Sequence, residues 1–170
     1  IVYANEFDHD AACTWCANRP LYNQVMHEGD INVLLPELEQ YKGTVDVLFG
    51  GPPCQGFSVA GKMDPNDARS ELIFTFLKAV QLVQPKFFVM ENVKALGTLE
   101  KGAAVRNRYI SMATELGYSV GYEVFHTAEY GVPQKRDRVI FVGVRNGTPT
   151  AFFKEMEKLK CPAPTAREVL

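Results

Sequence analysis

Two short apolar runs in this chain stop against residues that do not extend them, and a helix-spaced segment lies between. Val45-Asp46-Val47-Leu48-Phe49 ends on Gly50-Gly51-Pro52-Pro53, and Lys86-Phe87-Phe88-Val89-Met90 ends on Glu91-Asn92. Runs of this length, rich in β-branched and aromatic residues and bounded by breakers, read as buried strands. Between them Ile73, Phe76, Leu77, Val80 and Val83 recur at helical spacing, and Pro85 closes the segment. Strand, crossover helix and second strand make a parallel pair, because a parallel return needs a connection of that length.

The alternation continues in both directions. Residues 1–5 read as a strand, and Asp8 or Asp10 caps a helix running to Asn18. Residues 31–40 are mixed, helix or loop, and 56–69 carry Gly56, Gly61, Pro65 and Asn66 and read as a loop. Val105, Tyr109, Met112 and Leu116 mark one helix face, with Gly117 where a C-terminal cap belongs. Ser119 to Phe125 and Arg138 to Val144 read as two further strands, and from Asn146 the chain turns polar and proline-bearing, as a linker would. The expected class is α/β: an open, mostly parallel sheet with helices on both faces, whose ligand sits at the carboxyl ends of the strands.

Composition sets the outer limits. A length of 170 residues suits one core, and four cysteines are too few for a disulfide scaffold, which favours a reduced, cytoplasmic setting. The net charge of −2 makes any nucleic-acid footprint local, not global. No apolar run is long enough to span a bilayer. The opening Ile1-Val2-Tyr3-Ala4 has no lead-in and reads as the inside of a longer chain.

Cys54 follows two prolines and precedes Gln55-Gly56. A free cysteine is most often a small buried hydrophobe. Here Pro52 and Pro53 fix φ and remove two donors, which suits a rigid irregular turn holding a thiol at a strand end. No histidine lies near it in sequence, so a Cys–His pair is not supported locally. Glu91, after an apolar run, must be partnered or carry a raised pKa, unless it caps the next helix. Gln134, Arg136 and Arg138, if extended, share one face and suit an anion or the acceptor edge of a planar base, with a solvated charged edge as the plainer alternative. Glu6-Phe7-Asp8 ends the first strand, where an acid can accept ribose hydroxyls, and Asp30-Ile31 after Gly29 could continue that pocket. Cys13 and Cys16 form a C-x-x-C whose spacing to other ligands does not suit zinc; they read as one helix face, and no metal site is expected. His9, His27 and His126 read as structural or surface residues.

The segments 50–58, 90–93 and 134–138, in that order and spacing, resemble the cytosine carbon-5 DNA methyltransferases over nearly the whole chain. The resemblance implies a Rossmann-like S-adenosylmethionine-dependent fold, with residues 1–147 a partial catalytic domain and 148–170 a linker toward a target-recognition region. It implies that Cys54 is the nucleophile, Glu91 the group holding the base edge, and Arg138 the holder of the base oxygen, supported by Arg136 and Gln134. Glu6, Phe7, Asp30, Ile31, Gly51, Pro53 and Leu72 would line the cofactor pocket. Gln55, Ser58, Lys62, Arg69, Asn92 and Gln134 would contact DNA, several from a loop that closes over a flipped base.

The family's glycine-rich first strand would precede Ile1 and sit between the strands at 1–5 and 45–49, so its absence leaves a gap in the sheet. The implied partner is double-stranded DNA in a bacterial cytoplasm, with restriction–modification as the setting. Transfer RNA is an alternative substrate. A split subunit, completed by another chain that carries the glycine-rich loop and recognition region, is an alternative organisation.

Overall fold

The computed structural model describes residues 1–53 and 71–169. Strand β1 (Ala4–Glu6) pairs in parallel with β2 (Met26–Glu28) as a two-stranded sheet. Strands β3 (Val47–Gly50), β4 (Phe87–Val93), β5 (Ser119–His126) and β6 (Asp137–Val144) form a second sheet in the order β3-β4-β6-β5. The β3–β4 pair is parallel, as its crossover requires, but β6 runs antiparallel to both β4 and β5. The expected parallel character therefore holds for the first half only. A short connection from β5 to β6 has no room for a crossover helix, so the chain must reverse. Among the described residues no strand bridges β1 and β3.

Each helix has a legible origin. Helix α1 (His9–Asn18) starts at Asp8, whose side chain accepts from the Ala11 amide at 2.8 Å. After α2 (Ile31–Leu34) comes a 3-10 turn (Leu35–Tyr41), so residues 31–40 are helical in two short pieces. In α3 (Glu71–Val83), Ile73, Phe76, Leu77, Val80 and Val83 are all buried. It stops where Gln84 takes φ 51° ahead of Pro85. Helices α4 (Lys94–Thr98) and α5 (Glu100–Glu115) follow β4. Gly117, at φ 88°, supplies the left-handed turn that closes α5.

The main core lies under one face of the larger sheet, where Phe88, Met90, Val139 and Phe141 meet Ile73, Leu77 and Val80 of α3 and Val105 and Tyr109 of α5. Each such large apolar side chain contributes about 1.5–3 kcal/mol on burial. Gly143 is required here: a Cβ would lie 2.0 Å from the Phe88 ring. On the other face Phe153 of α6 (Thr150–Lys158) packs with Val142 and Val144. The segment read as a linker from residue 146 thus contains a packed amphipathic helix. Its apolar spacing is confined to Phe152, Phe153 and Met156, too few to outweigh the polar composition around them. A last turn, α7 (Ala166–Val169), ends the described chain.

Candidate active site

The carboxyl ends of β3 and β4 lie side by side, and the residues between strand and loop are held by side chains of β4. Glu91 does not follow β4 but lies within it, paired across from Ile140 of β6. This differs from the sequence reading, which ends the strand at Met90: Glu91 alternates with Met90 and Asn92 to the less covered face, where a carboxylate is tolerated. Two residues along the neighbouring strand, on the same face, Arg138 donates from Nε to Glu91 Oε1 at 2.5 Å. Its Nη1 also donates to the Asp137 carbonyl at 2.8 Å. Both side chains are mostly covered, 32% exposed for Glu91 and 21% for Arg138. The requirement that Glu91 be partnered is met by this pair. The result is a fixed carboxylate beside a fixed guanidinium, able to present acceptor and donor to one planar ligand.

Gly51 adjoins this pair. A Cβ on it would stand 3.2 Å from Glu91 Oε2, so a larger residue there would crowd the carboxylate. Asn92 points the other way, is 3% exposed, and donates from Nδ2 to the Pro52 carbonyl at 3.1 Å while accepting from the Val93 amide at 2.8 Å. It stands behind Pro52, not on the surface, which is where the sequence reading puts a DNA contact. Cys54 is bonded to Pro53, but Cys54, Gln55, Gly56, Ser58, Gly61, Lys62 and Arg69 lie outside the described residues.

Of the expected arginine strand, only Asp137 onward is β6. Gln134 sits in a bend, its amide on the Val132 carbonyl at 2.7 Å and its carbonyl accepting from Thr127 Oγ1 at 2.6 Å. Gln134, Arg136 and Arg138 therefore do not line one extended face. Pro133 interrupts the ladder. Gln134 and Arg136 are exposed, whereas Arg138 is held.

A second group of residues gathers at the carboxyl ends of β1 and β2. Glu6 Oε1 accepts from the amides of Phe7 at 2.8 Å and Asp8 at 3.1 Å, and the Phe7 ring beside it is 75% exposed. Asn5 ties the two strands by donating to the carbonyls of His27 and Gly29, both at 2.9 Å. Asp30 caps α2 by accepting from the Asn32 amide, and Asn32 accepts in turn from Thr75 of α3 at 2.9 Å. Ile31 packs toward Leu38, Ala79 and Val83, and Leu72 is half-buried at the start of α3. An anchored carboxylate next to an exposed aromatic ring fits ribose hydroxyls and an adenine face.

The model of the C-5 cytosine-specific DNA methylase family matches residues 1–169. The chain belongs to that family. Members of this methylase family take their methyl group from S-adenosylmethionine. The chain is 39% identical over 153 residues to Type II methyltransferase M.DdeI of Desulfomicrobium norvegicum, covering 87% of this chain and 36% of that protein. It is 36% identical over 175 residues to Type II methyltransferase M.AquIA of Picosynechococcus, covering 95% and 69%. Among solved structures, a DNA modification methyltransferase encoded within an Escherichia coli prophage superimposes with a TM-score of 0.69 at 29% identity, covering 85% of this chain and 40% of that one. No helix among the described residues is long and apolar enough to cross a membrane.

Two contributions escaped sequence reading. Asn5 and the Asn32–Thr75 link hold the Glu6–Asp30 region together, yet they carry no local pattern. Lys94 and His126 both reach Asp137, at 2.8 and 2.6 Å. They fix the start of the Arg138 strand from residues 43 and 11 positions away, a spacing that no motif records.

Proposed function

We propose that this chain is the catalytic part of a bacterial DNA cytosine carbon-5 methyltransferase of a Type II modification system. The observation that carries the reading is the Glu91–Arg138 pair, set against Gly51, which precedes Pro52, Pro53 and Cys54 in the chain. The Cys54 thiolate adds to carbon 6 of cytosine and makes carbon 5 electron-rich. Glu91 holds ring nitrogen 3 and the amino group, and Arg138 holds the base oxygen, so charge entering the ring meets fixed partners. S-adenosylmethionine, bound by Glu6, Phe7, Asp30, Ile31, Gly51, Pro53 and Leu72, supplies the methyl group. Loss of the carbon-5 proton then expels the Cys54 thiolate and restores the ring. Carbon 6 is shielded inside a duplex, so the base is flipped out to react. Gln55, Ser58, Lys62, Arg69 and Gln134 contact the DNA, Arg136 supports the strand that carries Arg138, and Asn92 acts behind them by holding the Pro52 carbonyl.

The reading also includes a strand between β1 and β3, supplied by the same or a complementary chain along with a target-recognition region. Its support is the division into two sheets, with β3 at the edge of the larger one.

The test is transfer of labelled methyl from S-adenosylmethionine to mixed-sequence DNA. Duplex DNA containing 5-fluorocytosine is used as a covalent trap, and transfer RNA as competitor. Full activity is expected only when the chain is joined by its upstream and downstream segments. Trapping by a Cys54→Ala variant would remove the nucleophile assignment, and preference for transfer RNA would change the substrate.

A further inference from the structure

Helix α1 carries a thiol arrangement that the methyl-transfer chemistry leaves unused. His9 and Cys13 stand one turn apart on α1, and the Cys13 Sγ lies 3.6 Å from His9 Nε2. The other ring nitrogen, Nδ1, faces both carboxylate oxygens of Glu28 on β2, at 3.1 and 3.0 Å. Glu28 thereby fixes the ring orientation and aims Nε2 at sulfur, the carboxylate–imidazole–nucleophile order that activates a weak nucleophile. The hydrogen bond and charge of Glu28, aided by the charge of Asp8, raise the His9 pKa, which makes Nε2 a better acceptor for the thiol proton and steadies the imidazolium that the transfer forms. An imidazolium beside a thiol stabilises the thiolate. Cys13 is exposed, so a reagent in solvent can reach it.

Metal binding does not account for the cluster. Among the described residues no three His, Cys, Asp or Glu side chains converge as metal ligands, and a zinc site needs three protein donors or more. Cys16, three residues on, does not complete the set. Facing side chains at that helical spacing have Cβ atoms about 5–6 Å apart, wider than the roughly 3.5–4.5 Å of a disulfide. An internal Cys13–Cys16 bridge would distort α1.

We propose that Cys13 is a modification site, a His9-assisted surface thiol that undergoes exchange with low-molecular-weight disulfides. His9 Nε2 takes the thiol proton, and the Cys13 thiolate attacks one sulfur of the reagent. The reagent's S–S bond breaks, a mixed disulfide forms on Cys13, and the departing thiolate takes the proton from His9. Cys13 sulfur is oxidised, the released half of the reagent is reduced, and no further reactant is needed.

The test uses the full chain in a Cys54→Ala background, with dithiodipyridine as probe and peptide mapping to separate Cys13, Cys16 and Cys161. Cys13 is expected to react at least about threefold faster than exposed Cys161 at pH 7. His9→Gln should bring Cys13 down to the Cys161 rate. If His9→Gln disturbs the circular dichroism of the chain, Glu28→Gln, which keeps the imidazole, decides by the same comparison. Equal rates for Cys13 and Cys161, or a Cys13 rate unchanged in the deciding variant, overturn the proposal.

Discussion

Replacing Asn92 by Asp tests whether a buried amide, and not the cysteine's sequence neighbours alone, aims the proposed nucleophile. The Asn92 side chain makes two contacts: Nδ2 donates to the Pro52 carbonyl at 3.1 Å, and Oδ1 accepts from the Val93 amide at 2.8 Å. Aspartate has the same shape and keeps the second contact. It loses the first and sets a carboxylate oxygen against a carbonyl oxygen. Leaving one buried acceptor unsatisfied costs about 1–3 kcal/mol of stability. The turn can relieve that cost by moving away from β4, and a displacement of about 1 Å at a reacting group costs on the order of 100-fold in rate. Adduct formation on 5-fluorocytosine DNA, followed by quenched gel assay with the full-length enzyme, should therefore slow roughly 10- to 100-fold. S-adenosylmethionine affinity, measured by calorimetry, should fall far less than the adduct rate, because Glu6, Phe7 and Asp30 lie at the ends of β1 and β2 and only Gly51 and Pro53 of the proposed pocket adjoin the displaced segment. Urea unfolding fixes the fraction folded in each sample. A folded Asn92→Asp enzyme that forms adduct at the parent rate would refute the tether.

Three other outcomes follow from the same geometry. Arg138→Met should cost about 1–2 kcal/mol, the buried-pair penalty discounted for partial exposure, and should abolish measurable methyl transfer; near-normal turnover would separate Arg138 from the chemistry. Gly143→Ala drives a Cβ to 2.0 Å from the Phe88 ring and should destabilise by about 1–3 kcal/mol or more in urea unfolding, with Phe88→Leu recovering part; strictly additive effects would mean the two do not touch. Lys94 first, and then His126, hold the Asp137 carboxyl below the ordinary carboxylate range by hydrogen bonding. A lowered native pKa stabilises the fold above the ordinary value of about 3.9, and that stability is lost as pH falls through the native value, so Asp137→Asn should flatten the acid limb of a pH–stability curve. An unchanged acid limb would assign no stabilising role to this cluster.

The sequence by itself determined the strand–helix–strand unit from Val45 to Met90. Short apolar runs, a helix-period face and hard breakers are local signals, and local signals survive without tertiary context. It also determined the motif residues around Cys54, Glu91 and Arg138, since their types and order carry chemistry. Tertiary structure decided what Glu91 and Arg138 face. Strand alternation put Glu91 and Arg138 on one face and turned Asn92 to the other, and that depended on β4 running on to Val93, past the point where the apolar run ends. The reversal of β6 against β4 and β5 came from a short connection and not from any pattern in the strands. Helix α6 owes its place to Phe153 meeting Val142 and Val144, contacts between residues about ten apart in a stretch of polar composition. The joining of His9, Cys13 and Glu28 was invisible for the same reason: 19 residues separate His9 from Glu28, and only parallel pairing of β1 with β2 brings the carboxylate to the ring. Chemistry written in residue type was legible; chemistry made by proximity across strands waited for the sheet to close the distance.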